Sequence, residues 1–141
     1  MSNERNETKY IIIHATATKP SENLTASDIA AQDRKDGWLS CRFHKVITRN
    51  GNVEDGRDIK IAGAHIDNNE KVSNANSVGI CMVGGKSIDD KPDCNFTLKQ
   101  YNALNELVVQ LKKQYNKAVV IGHRDVADVL SPHFDVSELL R

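Results

Sequence analysis

Two short apolar runs constrain this chain most: YIII at 10–13 and VVI at 119–121, the first ending on His14 and the second, through Gly122, on His123. Runs of β-branched residues this short, closed by a polar residue or a glycine, read as buried strands. Two strands thus each hand over one histidine. If they lie side by side in one sheet, His14 and His123 converge on one rim, and paired imidazoles are donors that a borderline-soft cation such as zinc accepts. For a lone histidine the plainer reading is a strand end closed by a hydrogen bond. Two at matching positions weigh against it.

The 141 residues make one domain, long enough to bury a core without metal or disulfide staples. Nineteen basic and nineteen acidic side chains cancel, so no global field recruits nucleic acid or an anionic membrane. Seven aromatic residues are few, and aliphatic side chains must carry the core. Cys41, Cys81 and Cys94 are odd in number and lack CxxC spacing, which argues against a disulfide framework. The polar start has no signal-peptide core, and no run reaches membrane-spanning length. Synthesis in a cytoplasm is expected, with a separate release route for any action outside it.

In chain order, residues 1–8 are expected to be frayed and 9–141 to form the domain. After the first strand, Pro20, Ser21 and Asn23 mark a loop. Thr25 and Asp28 form a capping pair for a helix that Gly37 stops, after which Trp38 and Leu39 are expected to re-enter the core. Residues 41–48 read as a strand, with Phe43 and Ile47 alternating against His44 and Val46. Asn50-Gly51 makes a hairpin turn into a short strand at 53–55. The Gly-, Asp- and Asn-rich stretch 56–76 is expected to be irregular surface carrying His65, and long loops of this kind are more often functional than idle. SVGICMV at 77–83 is a central strand. Thr97 and Gln100 form a capping box for a helix whose core stripe is Leu98, Tyr101, Leu104, Leu107, Val108, Leu111 and Tyr115. A strand at 118–121 and a terminal helix at 136–140, capped by Asp135, follow. Strands interleaved with helices imply an α/β sheet with helices packed on it.

The ordered blocks IIIHATATKPSEN, GWLSCRFHKVITRNGNVEDGRD, AGAHI, NANSVGICMVGG, NFTLKQ and IGHRDVADVLSPHFD resemble the type 2 N-acetylmuramoyl-L-alanine amidases, the group that includes amidase-type phage lysozymes and peptidoglycan recognition proteins. The resemblance runs from about residue 9 to 134. It implies a single domain with a mixed central β-sheet flanked by helices, a peptidoglycan groove on one face and a zinc at its floor. It also implies cleavage of the amide between the lactyl group of N-acetylmuramic acid and L-alanine. His14 and His123 match the two zinc histidines. His44, His65 and Asn76 match groove positions that would contact a muramyl peptide, although a turn amide bonding its own backbone serves equally well for Asn76.

Three positions depart from the family pattern. Ser131-Pro132 stands in the Cys-Pro context, so the third ligand is a serine; Val129 replaces a catalytic lysine; and Arg42-Phe43-His44 replaces GYH, so the phenol is missing. Gln32 and Asp33 also replace a Trp-His pair before GW. A cysteine binds zinc as thiolate, whereas a serine hydroxyl is neutral near pH 7 and a poor donor. The expectation is therefore a peptidoglycan-binding protein of the amidase fold with impaired hydrolysis and weak or absent zinc. One alternative is an active zinc amidase in which His133, or a carboxylate from Asp128 or Asp125, completes the site. Another is a regulator gripping a protein partner, as some phage amidases resemble in binding RNA polymerase. The resemblance further implies a phage-encoded protein, or one released at lysis.

Overall fold

The computed structural model describes residues 4, 5, 7–127, 129, 131, 132, 134 and 136. Its organising strand is β1, Tyr10–Ala15, whose Ile11, Ile12 and Ile13 are fully buried. The chain continues through α1 (Ala26–Lys35), β2 (Lys45–Ile47), β3 (Val53–Asp55), β4 (Ser77–Met82), α2 (Leu98–Gln114) and β5 (Val119–Gly122). Among the described residues these strands form one mixed sheet in the order β3-β2-β4-β1-β5. β1 pairs in parallel with both β4 and β5, β2 is parallel to β4, and the β2–β3 hairpin is antiparallel.

Side-chain alternation assigns the two faces. Ile11, Ile13, Val78, Ile80 and Met82 turn to one side and meet Leu104, Leu107, Val108 and Leu111 of α2. Val46, Cys81 and Val83 turn to the other and meet Ala26 and Ile29 of α1. Each large aliphatic side chain buried in this way contributes about 1.5–3 kcal/mol. Both helices start at the capping boxes expected. Thr25 Oγ1 accepts from the Asp28 amide at 3.2 Å while Asp28 Oδ2 accepts from the Thr25 amide at 2.9 Å, and Thr97 and Gln100 reciprocate at 3.1 and 3.0 Å. The Asn50-Gly51 turn closes through the Thr48 amide donating to the Asn52 carbonyl at 2.9 Å, with Gly51 at φ +87°.

The structure differs from the sequence reading at four places. The strand expected at 41–48 is regular only over Lys45–Ile47, because the Arg42, Phe43 and His44 carbonyls accept from the Ala64, Arg57 and Gly56 amides of the following loop. Trp38 and Leu39 are 43% and 94% exposed rather than core. Leu98 is 75% exposed, since it is the first residue of α2 and precedes the turn that meets the sheet. Within the stretch expected to be frayed, Glu4 bridges to Ile61, and Arg5 donates to the Lys60 carbonyl from its backbone and to the Tyr115 hydroxyl at 3.0 Å. The terminal helix expected at 136–140, with its cap Asp135, lies outside the described residues except for buried Val136.

Gln100 joins α2 to the sheet. It is fully buried, its Nε2 donates to the Val83 and Ile47 carbonyls at 2.8 and 3.2 Å, and its Oε1 accepts from Arg49 Nη1 at 3.2 Å. Gln100→Leu fills about the same volume but takes the 2.8 Å donor from the Val83 carbonyl and the acceptor from the Thr97 amide, while the Ile47 carbonyl keeps the Val83 amide at 3.0 Å. It is expected to lower the unfolding free energy by about 2–4 kcal/mol in urea titrations, and a loss below about 1 kcal/mol would show that the Val83 carbonyl finds another partner.

Candidate active site

The β1–β5 register ends on Ile13 opposite Gly122, so one step further His14 comes level with His123. Their ring centroids are 4.4 Å apart. Both side chains leave the face that carries α1, because His14 alternates with Ile13, which points at α2. The Phe43 ring stands edge-on to His14 at 5.0 Å, and His65 stands edge-on to it from another side at 4.9 Å. Ser131 closes the rim: its Oγ accepts from the Ala15 amide at 2.7 Å, and its carbonyl accepts from the Arg124 amide at 2.7 Å. Asp125, in the turn His123–Asp125, accepts from the Gly122 amide at 2.8 Å through Oδ2, a loop-capping role.

A buried hydrogen-bond chain runs back from His14 into the protein. His14 Nε2 lies 2.8 Å from His65 Nδ1, His65 Nε2 lies 3.2 Å from Ser77 Oγ, and Ser77 Oγ donates to the Ser73 carbonyl at 2.7 Å. Direction follows from the far end. A carbonyl only accepts, so it takes the single Ser77 proton, and Ser77 must accept from His65 Nε2–H. His65 Nδ1 is then bare and accepts from His14 Nε2–H. The lone pair of neutral His14 is thereby held on Nδ1, on the side of the ring away from His65. Gly79 is part of this construction: a Cβ there would meet the His65 ring at 2.7 Å, so only glycine admits the imidazole against β4.

The histidines are electrically neutral near pH 7. Burial lowers His14 well below its usual range, and the neighbouring His65, His123 and Arg42 lower it further. Burial, with the neighbouring His44, His123, Arg42 and Arg57, takes His65 down to about 3. Burial and Arg42 lower His123, against an opposing pull from Asp67. Burial takes His44 to about 4.

The remaining sequence-derived positions fall as follows. His44 is buried, its Nε2 donating to the Ile61 carbonyl at 2.7 Å and its Nδ1 accepting from the Gly79 amide at 3.0 Å, so the backbone takes both ring nitrogens. His65, weighed as an exposed loop residue, is 2% exposed and bonded to His14. Asn76 accepts from the Ser73 amide and donates to the Lys71 carbonyl, both at 2.9 Å, which is the turn-amide arrangement. Val129 is 41% exposed, and Asp33 is buried with Oδ2 accepting from the Arg42 amide at 2.9 Å. His133 and Asp128 lie outside the described residues.

Sequence reasoning missed Ser73, Ser77 and Arg42. A glycine inside an otherwise apolar strand, Gly79, was the one signal of a close approach, but it names no partner. For zinc, the third position holds a neutral hydroxyl already engaged with the Ala15 amide. Among the described residues no group of three or more His, Cys, Asp and Glu side chains is disposed to hold a metal ion. Of the residues expected to hold zinc, the described ones are two adjacent imidazoles, His14 and His123, and one neutral hydroxyl, Ser131.

Comparison with known proteins places this geometry. The family model for N-acetylmuramoyl-L-alanine amidase matches residues 4–135. The chain is 41% identical to an endolysin of Klebsiella phage KP32 over 94% of its length and 85% of the relative's. It is 42% identical to the endolysin of Escherichia phage T7, with the same coverage. Among solved structures, the Ph2119 endolysin from a Thermus scotoductus bacteriophage superposes with a TM-score of 0.78 at 21% identity, over 98% of this chain and 86% of that one. A bumblebee PGRP-SA superposes with a TM-score of 0.71 at 26% identity, over 94% and 80%.

Ser77→Ala removes the acceptor that orients His65. His14 is expected to change from the Nε2–H form to a mixture containing Nδ1–H, read from ring nitrogen shifts by NMR; an unchanged His14 tautomer would break the chain of inference at Ser77. The neutral burial of His44 also sets a pH dependence. Above pH 6.5 neither folded nor unfolded state binds its proton; between about 6.5 and 4 only the unfolded state does, so stability falls with pH, by up to about 1.4 kcal/mol per unit from this group. His44→Gln is expected to be less stable at pH 7 and to lose stability more slowly toward pH 4.5, as measured by urea unfolding at stepped pH. Parallel pH curves for the two proteins would refute this.

Proposed function

The chain belongs to the N-acetylmuramoyl-L-alanine amidase family, and on that premise we propose that it binds peptidoglycan or muramyl peptides in the cleft beside His14 while hydrolysing the muramyl-alanine amide poorly. The observation that carries the impairment is Ser131: a hydroxyl, engaged with the Ala15 amide at 2.7 Å, occupies the rim beside two neutral imidazoles. A neutral oxygen donates far less charge to zinc than a thiolate does, so weak or absent zinc binding is expected. Phe43 faces His14 without a hydroxyl, and Val129 brings no ammonium. Each missing oxyanion donor is worth about 2.7–4 kcal/mol by analogy with other acyl-transfer sites.

Binding asks less of the site than catalysis. A cleft of about 470 Å³ is lined in part by Ala15, Thr16, Thr18, Leu24, Arg42 and Phe43. His14 itself is buried and borders the cleft through Phe43, whose ring lies 5.0 Å from its own, and Thr16 and Thr18 add hydroxyls to the wall. The structure of peptidoglycan recognition proteins LCa and LCx with tracheal cytotoxin, at a TM-score of 0.67 and 23% identity, shares this fold. The endolysin relatives support a phage-encoded protein that reaches the wall at lysis. No helix among the described residues is long and apolar enough to cross a membrane.

The relatives' names also favour a second reading, an active endolysin whose metal site draws on residues outside those described, such as His133. One experiment separates the two. Wild type is expected to be retained on insoluble peptidoglycan, to hold less than one equivalent of zinc after dialysis against a mild chelator, and to release little stem peptide. Ser131→Cys, Phe43→Tyr and Val129→Lys together are expected to raise release well above background, while each single change stays near it, since groups that act as a unit are not additive. Stoichiometric zinc with full wild-type release would establish the second reading, and no retention on peptidoglycan would overturn the binding reading.

A further inference from the structure

We propose that Arg42 makes the cleft beside the histidine cluster a carboxylate-binding site. This inference rests on the muramyl-peptide reading and names the ligand group that the cleft selects. Arg42 is half-buried at the wall of the cleft, between the Trp38 ring, whose centroid lies 5.0 Å from its Cζ, and the Phe43 ring at 6.0 Å. Its Nε donates to the Ala64 carbonyl at 2.7 Å, and its backbone amide is held by Asp33 Oδ2 at 2.9 Å. The guanidinium is thus fixed at both ends of its side chain and stacked on an aromatic face, which removes most of the entropy cost of using it. Among the described residues neither terminal nitrogen has a hydrogen-bond acceptor, and no carboxylate forms an ion pair with the group.

Arg42 is the one cation among the described residues that line the cleft. Three carboxylates also line the cleft and keep their charge, but each is oriented by a backbone amide, Glu22 by Lys19 at 2.8 Å, Asp28 by Thr25 at 2.9 Å and Asp33 by Arg42 at 2.9 Å, and none pairs with the guanidinium. With Nε taken by the Ala64 carbonyl, the edge between the two terminal nitrogens remains, and it matches a carboxylate in end-on bidentate geometry. The same charge opposes a divalent cation at His14 and His123, in keeping with the neutral Ser131 hydroxyl. A muramyl ligand has two sources of carboxylate: the free lactyl group of a glycan already stripped of its peptide, and the C-terminus of a stem peptide.

Calorimetric titration with four probes tests this: N-acetylmuramic acid, its lactyl carboxamide, a muramyl tripeptide with a free C-terminus and the same tripeptide amidated. At least one acid is expected to bind about tenfold tighter than its amide. Arg42→Gln is expected to erase that preference, and Arg42→Lys to retain part of it, with thermal melting confirming that both variants fold. The pair showing the preference identifies the carboxylate. Equal affinity for acid and amide, a preference that survives Arg42→Gln, or no binding of any probe by a protein still retained on insoluble peptidoglycan would each overturn the proposal and leave the binding reading standing. Loss of retention as well would overturn both.

Discussion

Parallel pairing of β1 with β4 on one side and β5 on the other decides where the chemistry of this protein sits. Parallel strands end at the same rim, so residues that follow them in sequence emerge together. His14 and His123 are more than a hundred residues apart, yet the Ile13–Gly122 register brings them level. The site depends on the buried isoleucines of β1, because a slip of one residue would turn His14 toward α2 and expose Ile13 in its place.

Beneath that rim the interior is unusually polar for a sheet face. His65, Ser77 and the Ser73 carbonyl form a chain in which every proton is assigned by the acceptor at its end. His44 is held by two backbone groups of its own. Burying imidazoles costs their protonated forms dearly, and the depressed affinities for protons are the result. Gly79 makes room for the arrangement. The outcome is a buried, hydrogen-bonded platform in which one nitrogen of His14 is left bare.

Around that platform stand the Ser131 hydroxyl, the Phe43 ring and a guanidinium stacked on Trp38. On the function proposed above, the sheet and loops orient the ligand, so binding does not depend on the groups that hydrolysis requires.

Much of this was legible in the chain alone. Strand ends at His14 and His123, both capping boxes, the Asn50-Gly51 turn and the core stripe of α2 follow from local rules of periodicity and hydrogen bonding, and the family resemblance followed from motifs in order. That Phe43, Val129 and Ser131 carry no phenol, ammonium or thiolate was equally readable, since residue type alone decides it. Local rules could not say that Trp38 lies outside the core, because an aromatic after a helix stop packs wherever a partner is found, and here the partner is Arg42. Nor could they assign the roles of His44 and His65: strand alternation says which way a side chain points, not which buried carbonyl or imidazole awaits it. Those roles were decided by tertiary contacts between the 56–76 loop and β4, where buried polar groups distant in sequence must satisfy one another.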